Sequence, residues 1–231
     1  MADKFRLTLV QANPTVGDIE GNAAKAIAAW QVGREAGADM VALSEMFITG
    51  YNTQDLVMKP AFYTEAIARI EALAGEVADG PALGIGGPWF ENGKLYNAYF
   101  VLQGGKVTSR SLKHHLPNET VFDEVRIFEQ GPLGGPYSVG DVRIGSPICE
   151  DAWHEDVAET MAESGAEILL VPNGSPYYRN KFETRLNNMV ARVIDTGLPL
   201  VYLNMVGGQD DQVFDGGSFV LNPGGALAVQ M

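Results

Sequence analysis

At 231 residues with 46% hydrophobic and 19% charged content, the chain can bury one sizeable core, and a single domain over residues 1–231 is the natural reading. A formal charge of −13, with only 16 Lys and Arg thinly spread, argues against a nucleic-acid partner. No run reaches the roughly 18 apolar residues of a membrane span, no signal-peptide core opens the chain, and one cysteine forms no internal disulfide, so an acidic protein of the reducing cytoplasm is expected.

Strands alternate with helices along the chain. Residues 7–11 read as a strand, and 23–36 as an alanine-rich helix with Asn22 as its N-cap. The next strand, 40–44, ends at Glu45. Ile67, Ile70, Leu73 and Val77 stand at helical spacing within 63–77, and 82–86, 98–103 and 107–110 follow as strands. Strands continue at 142–148, 168–171, 200–204 and 218–222. Phe182, Leu186, Met189, Val190, Val193 and Ile194 make the apolar stripe of a helix that stops at Gly197. Sheet segments covered by helices on one side, with hairpin-like pairs in the middle, indicate an α/β layered domain.

Two apparent motifs fail on context. Gly84-Ile85-Gly86-Gly87 leads into Pro88-Trp89-Phe90 and another strand, not the helix that a dinucleotide fingerprint requires. His114 and His115 are adjacent and diverge in a regular backbone, and His154 has no Cys or His at ligand spacing, so no metal site is expected.

Three polar residues stand where strands end. Glu45 follows 40–44, Lys113 follows the strand and turn 107–112, and the sole cysteine, Cys149, ends the apolar run 142–148 at a strand-to-helix junction. A helix N-terminus there lowers a thiol's pKa and supplies backbone donors for an oxyanion. A carboxylate, an ammonium and a thiol converging at one sheet edge divide the labour of acyl transfer: the carboxylate moves the proton, the thiolate attacks, and the ammonium holds the oxyanion. Taken singly, a free cysteine usually only packs, and Glu45 and Lys113 read as solvated or salt-bridged charges.

The runs Ser44-Glu45-Met46-Phe47-Ile48-Thr49-Gly50-Tyr51, Lys113-His114-His115-Leu116-Pro117-Asn118 and Ile148-Cys149-Glu150-Asp151-Ala152-Trp153 resemble the Glu, Lys and Cys motifs of the nitrilase superfamily of carbon–nitrogen hydrolases. Within it the chain is most similar to the glutaminase domains of glutamine-dependent NAD synthetases. That narrower likeness rests on residues 121–128, on Asn173-Gly174-Ser175-Pro176-Tyr177-Tyr178 with Lys181 and Arg185, and most specifically on residues 207–218.

The resemblance implies a four-layer αββα sandwich in which Cys149 attacks the glutamine carboxamide, Glu45 is general base and then acid, and Lys113 with the backbone N–H of Glu150 holds the oxyanion. Glu124 matches a second glutamate that orients the lysine, and Tyr51, Phe122, Ser175 and Lys181 match positions that shape the glutamine pocket. Ordinary core packing of Tyr51 and Phe122, and a salt bridge from Glu124 to Arg126 or Lys113, are the competing readings. No metal or cofactor is implied for this step; ATP and Mg would belong to a synthetase domain or subunit that receives the ammonia, and superfamily members commonly form homo-oligomers.

Two departures stand out. Glu119 occupies a place often aromatic in the family, which puts the substrate contact there in doubt. The synthetase pyrophosphate loop is absent from these residues, and the chain ends at Met231, earlier than expected for a complete sandwich, leaving a final strand and helix to be accounted for. Three readings follow: a glutaminase module, a stand-alone amidase for another small carboxamide, and a non-catalytic interaction module.

Overall fold

Along the central strands apolar side chains fill both faces, the pattern of sheets covered on two sides. The computed structural model describes residues 4–231. Its first sheet runs in the order β1 (Leu7–Leu9), β2 (Met40–Ala42), β3 (Ala82–Glu91), β4 (Lys94–Gln103) and β5 (Lys106–Leu112). The first three strands are parallel, and β3, β4 and β5 are antiparallel to one another in turn. The second sheet contains β6 (Tyr137–Val139), β7 (Val142–Gly145), β8 (Ile168–Asn173), β9 (Leu200–Asn204), β12 (Phe219–Leu221) and β13 (Leu227–Gln230), in that spatial order, with β7, β8 and β9 parallel. Strands β10 (Val206–Gln209) and β11 (Gln212–Asp215) form a separate hairpin.

Side-chain alternation divides the interior into layers. Met40 and Ala42 of β2 face Leu170 and Leu203 of the second sheet in the central core, while Val41 between them faces outward. Helices α1 (Ile19–Glu35) and α2 (Pro60–Glu76) cover that outer face through Ala23, Ala26, Trp30, Ile70 and Leu73. The one-turn α3 (Glu124–Ile127) lies outside these layers, and α4 (Glu155–Glu163) and α5 (Lys181–Thr196) cover the second sheet through Val157, Met161, Met189 and Val193. The result is the expected αββα sandwich. Among the described residues no helix is long and apolar enough to cross a membrane.

The structure corrects several local readings. Helix α1 starts at Ile19, with Asp18 Oδ1 accepting from Gly21 N at 2.9 Å as its cap. Asn22 is instead buried inside the helix, where its amide bonds Thr15 and Ile48 O. The strand expected over 142–148 ends at Gly145, because Pro147 has no N–H for a ladder. Ile194, counted in the α5 stripe, is exposed, whereas α5 stops as expected at Gly197, whose φ of 72° suits glycine at a helix end.

Gly86 is where the first sheet meets the future site. Its N–H donates to Ser44 O at 3.2 Å and its carbonyl accepts from Ile48 N at 3.1 Å, drawing the chain after β2 onto β3. A Cβ here would lie 2.6 Å from the carbonyl carbon of Glu45 and 2.7 Å from Ser44 O, so no side chain fits. We predict that Gly86→Ala destabilises the fold by at least about 2 kcal/mol in denaturant melts, as overpacking against fixed backbone does. Gly75→Ala in α2, with nothing within 4 Å of its Cβ, should be neutral or stabilising by up to about 1 kcal/mol.

Candidate active site

Strands β2, β5, β7 and β8 all run toward the same edge of the sandwich, and the segments leaving their C-terminal ends carry Glu45, Lys113, Cys149 and Gly174. Lys113 continues the β5 ladder, its N–H donating to Asn97 O of β4 at 2.9 Å. Its ammonium donates to Glu45 Oε1 at 2.8 Å and lies 2.7 Å from Glu124 Oε2, with all three side chains buried. Asn97 Nδ2 donates to Glu45 Oε1 at 2.8 Å and to Glu124 Oε1 at 3.4 Å. Tyr51 Oη donates to Glu124 Oε1 at 3.0 Å, and Gly174 N donates to Glu45 Oε2 at 2.7 Å. The two carboxylates are thus saturated by an ammonium, an amide, a phenol and a backbone N–H, as buried charges require.

Cys149 opens a short 3₁₀ turn, Cys149–Trp153, and α4 begins only at Glu155. The expected helix N-terminus at the thiol is therefore absent. Burial instead pushes the thiol's pKa well above its ordinary value; Glu45 adds to this and Lys113 opposes it. At neutral pH the group is a thiol. Its φ of 48°, unusual for a residue with a side chain, is the kind of backbone strain that clusters at functional sites.

Burial opposes the charge on Lys113, but Glu124 and Glu45 more than offset it and hold its pKa well above the usual lysine range. Burial raises Glu124 to about 7 against the pull of Lys113. Tyr51 is pushed up first by burial and then by the Glu124 and Glu45 charges, so it stays a neutral donor.

A cleft of about 620 Å³ opens beside this cluster, with Glu119, Phe122, Glu150, Trp153, Tyr178 and Lys181 among its walls. The Lys181 ammonium stands 4.4 Å from the Trp153 ring centre and 4.5 Å from that of Tyr178. Tyr51 and Ser175, expected on the pocket wall, are buried beneath it: the Tyr51 ring packs on Phe122 and Phe214, and Ser175 is clamped by Arg185 and Asn204. The expected salt bridge of Glu124 goes to Lys113; Arg126 pairs with Asp55 and Asp123. A second open groove, about 560 Å³, lies at the N-terminal ends of the parallel strands, away from all these groups.

The family pattern of carbon-nitrogen hydrolases matches residues 6–231. The chain belongs to the carbon-nitrogen hydrolase family. It is 62% identical over all of its 231 residues to the glutamine-dependent NAD(+) synthetase of Rhodobacter capsulatus, of which it spans 42%. The structure superimposes on glutamine-dependent NAD+ synthetase from Acinetobacter baumannii with a TM-score of 0.93 and 33% identity, covering 98% of this chain and 43% of that one. An amidase of the nitrilase superfamily from Nesterenkonia matches at a TM-score of 0.87 and 22% identity, over 100% of this chain and 87% of that one, which shows a shared fold. The chain thus spans about two fifths of the length of the curated relatives it matches, 42% of the Rhodobacter capsulatus protein.

Within this carbon-nitrogen hydrolase the histidines depart from expectation. His114 and His115 do not diverge: each offers one ligand atom within 4.8 Å of the other and of an Asp156 oxygen. Hydrogen bonds account for the grouping. His114 Nδ1 is 2.7 Å from Gly131 O and its Nε2 is 3.0 Å from Gln130 Nε2, while His115 Nε2 is 2.8 Å from Asp156 Oδ1.

Asn97, Asn204 and the N–H of Gly174 escaped the sequence reading, although an asparagine inside the apolar strand Lys94–Gln103 was a signal, since buried polar groups need partners. The raised pKa of Glu124 has a stability consequence. Folded Glu124 binds its proton more tightly than the unfolded group, with about 7 against 4.5, so its contribution to stability falls as pH rises through that window. The stability difference between Glu124→Gln and the parent should therefore shift in the variant's favour as pH rises from 4.5 to 7, whatever the cost of removing one partner of Lys113, as read by denaturant midpoints across pH.

Proposed function

We propose that the chain is a glutamine amidohydrolase that works through a thioester and supplies ammonia for ATP-dependent amidation of nicotinic acid adenine dinucleotide to NAD. The dry ammonium of Lys113 between two carboxylates, beside the sole thiol, carries this reading. The likeness to glutamine-dependent NAD(+) synthetases over the whole chain supports glutamine as the carboxamide.

In the proposed cycle Glu45 takes the Cys149 proton as Sγ attacks the carboxamide carbon, because the raised thiol pKa makes a resting thiolate scarce. Lys113 and the backbone N–H of Glu150 donate to the oxyanion, and Glu124 orients Lys113. Collapse breaks the C–N bond, and Glu45 returns the proton to the departing nitrogen, releasing ammonia. Water then gives a proton to Glu45 and its hydroxide to the thioester carbonyl; the C–S bond breaks, glutamate leaves, and Cys149 recovers its proton.

Phe122 and Lys181 line the cleft and would meet substrate directly, Lys181 by placing a positive charge opposite the glutamine carboxylate. Tyr51 and Ser175 would shape the pocket from beneath. The glutaminase step uses no cofactor, and ATP and Mg belong to a synthetase domain or subunit that accepts the ammonia. The same proposal places the enzyme in the cytoplasm as a homo-oligomer, to be checked by sedimentation.

Glu119 favours a second reading. Its carboxylate is exposed on the cleft wall, where it disfavours an anionic substrate end, so an amidase for a neutral small carboxamide is the alternative. A glutamine-analogue diazoketone, followed by peptide mass spectrometry, separates the two. We expect an adduct at Cys149 that glutamine protects and that Cys149→Ala abolishes, with Lys113→Ala slowing glutamine turnover by at least about 10²-fold. Protection by another carboxamide but not by glutamine would select the amidase, and a folded chain without adduct would sink both.

A further inference from the structure

Asp151 lies two residues after the nucleophile, yet its side chain turns away from the cleft and onto main chain. Its Oδ2 accepts from Ile148 N at 2.9 Å, which closes the Cys149–Trp153 turn locally. Its Oδ1 reaches a different part of the fold, accepting from His114 N at 3.0 Å and His115 N at 2.7 Å. His114 follows Lys113 off the first sheet, and Ile148 precedes Cys149 off the second. One carboxylate, 2% exposed, therefore joins the two main-chain segments that carry the cation and the thiol. A turn cap alone would use only the bond to Ile148; the pair of bonds spanning 37 and 36 residues is what a cap leaves unexplained.

Resting on the roles assigned above to Lys113 and Cys149, we propose that Asp151 is a positioning residue: by tying these two main-chain segments together it sets the placement of the Lys113 ammonium against the Cys149 sulfur.

The group titrates in a useful range. Burial raises Asp151 to about 6, against the pull of the His115 and Ile148 amides and the Lys113 charge. Lys113 is the cation that bears on it, and Glu45 and Glu124 are bound to that ammonium. Of the other ionisable groups nearby, Glu150 pairs with His154 at 3.6 Å, His115 pairs with Asp156 at 2.8 Å, and the His114 ring bonds Gly131 O. Protonation turns an acceptor oxygen into a donor, so the three N–H bonds are no longer all made and the tie loosens as pH falls through about 6. Stability moves the other way. Because the folded value, about 6, lies above the ordinary 3.8, this group's contribution to stability increases as pH falls between them. Loss of activity with gain of stability in one window distinguishes positioning from folding.

The test compares the parent with Asp151→Asn, whose amide NH₂ must face one of the three donors. We expect kcat for glutamine about 10²-fold lower, the cost of a misplacement of about 1 Å, with KM changed by less than about threefold. The parent should also show a step in kcat near pH 6 that the variant lacks. An unchanged kcat, a loss confined to KM, or a step near pH 6 that survives in the variant would overturn the proposal. If the variant does not fold, amide hydrogen exchange on the parent decides: protection at Ile148, His114 and His115 should drop relative to neighbouring amides as pH falls through about 6, and flat protection would refute it. Exchange needs no substrate, so a parent that fails to hydrolyse glutamine would refute the glutaminase reading while the tie itself is still measured.

Discussion

An ammonium held dry between two carboxylates is the constraint around which this structure is organised. Lys113 has no exposed surface, and its charge is tolerable only because Glu45 and Glu124 sit 2.8 and 2.7 Å away. Three charges removed from water demand further donors around them, and the fold supplies these from three separate places: Asn97 on β4, Tyr51 after β2 and Gly174 after β8. Such a cluster exists only when both sheets are stacked and their edges aligned. It therefore ties the chemistry to completion of the fold. The glycine at 86 serves the same end, since it lets the chain carrying Glu45 lie directly on the backbone of β3.

The same dryness differentiates groups that would be alike in water. Glu124 is raised to about 7 by burial while it shares its cation with Glu45. Cys149 is driven toward the neutral thiol by burial and by the Glu45 charge, with Lys113 opposing. No α-helix begins at the thiol, and in the short turn Cys149–Trp153 Asp151 folds back onto the lysine segment. Rigidity at the cluster is therefore built from main-chain contacts as well as from side-chain charge.

Much of the fold was legible because it rests on periodicity. The stripes of α2 and α5 repeat at 3.6 residues, and β2, β3, β4, β8 and β9 carry short apolar runs that are buried on both faces. Less was legible where a side chain had two possible employers. Asn22 looks like a helix cap, but Asp18 caps α1 and leaves Asn22 to hold the Thr15 and Ile48 backbone. The hairpin of β10 and β11 lies in a glycine- and aspartate-rich stretch with weak apolar alternation; its Phe214 finds a partner in Tyr51 and its Asp215 in Arg185 only across the fold.

By itself the sequence determined which residue types end the strands: a carboxylate after β2, an ammonium after β5 and the single thiol after β7, in motifs whose family the comparisons bear out. Order along the chain also determined the layered α/β class, because alternating strands and helices can bury their apolar faces in few other ways. Only the tertiary structure decided the rest. It chose Lys113 over Arg126 as the partner of Glu124, sank Tyr51 and Ser175 beneath the cleft, brought His114 and His115 together, and gave Asn97 and Asp151 their places. Those outcomes depend on distances between segments tens of residues apart and on exclusion of water from the space between two sheets, and neither quantity is carried by local pattern.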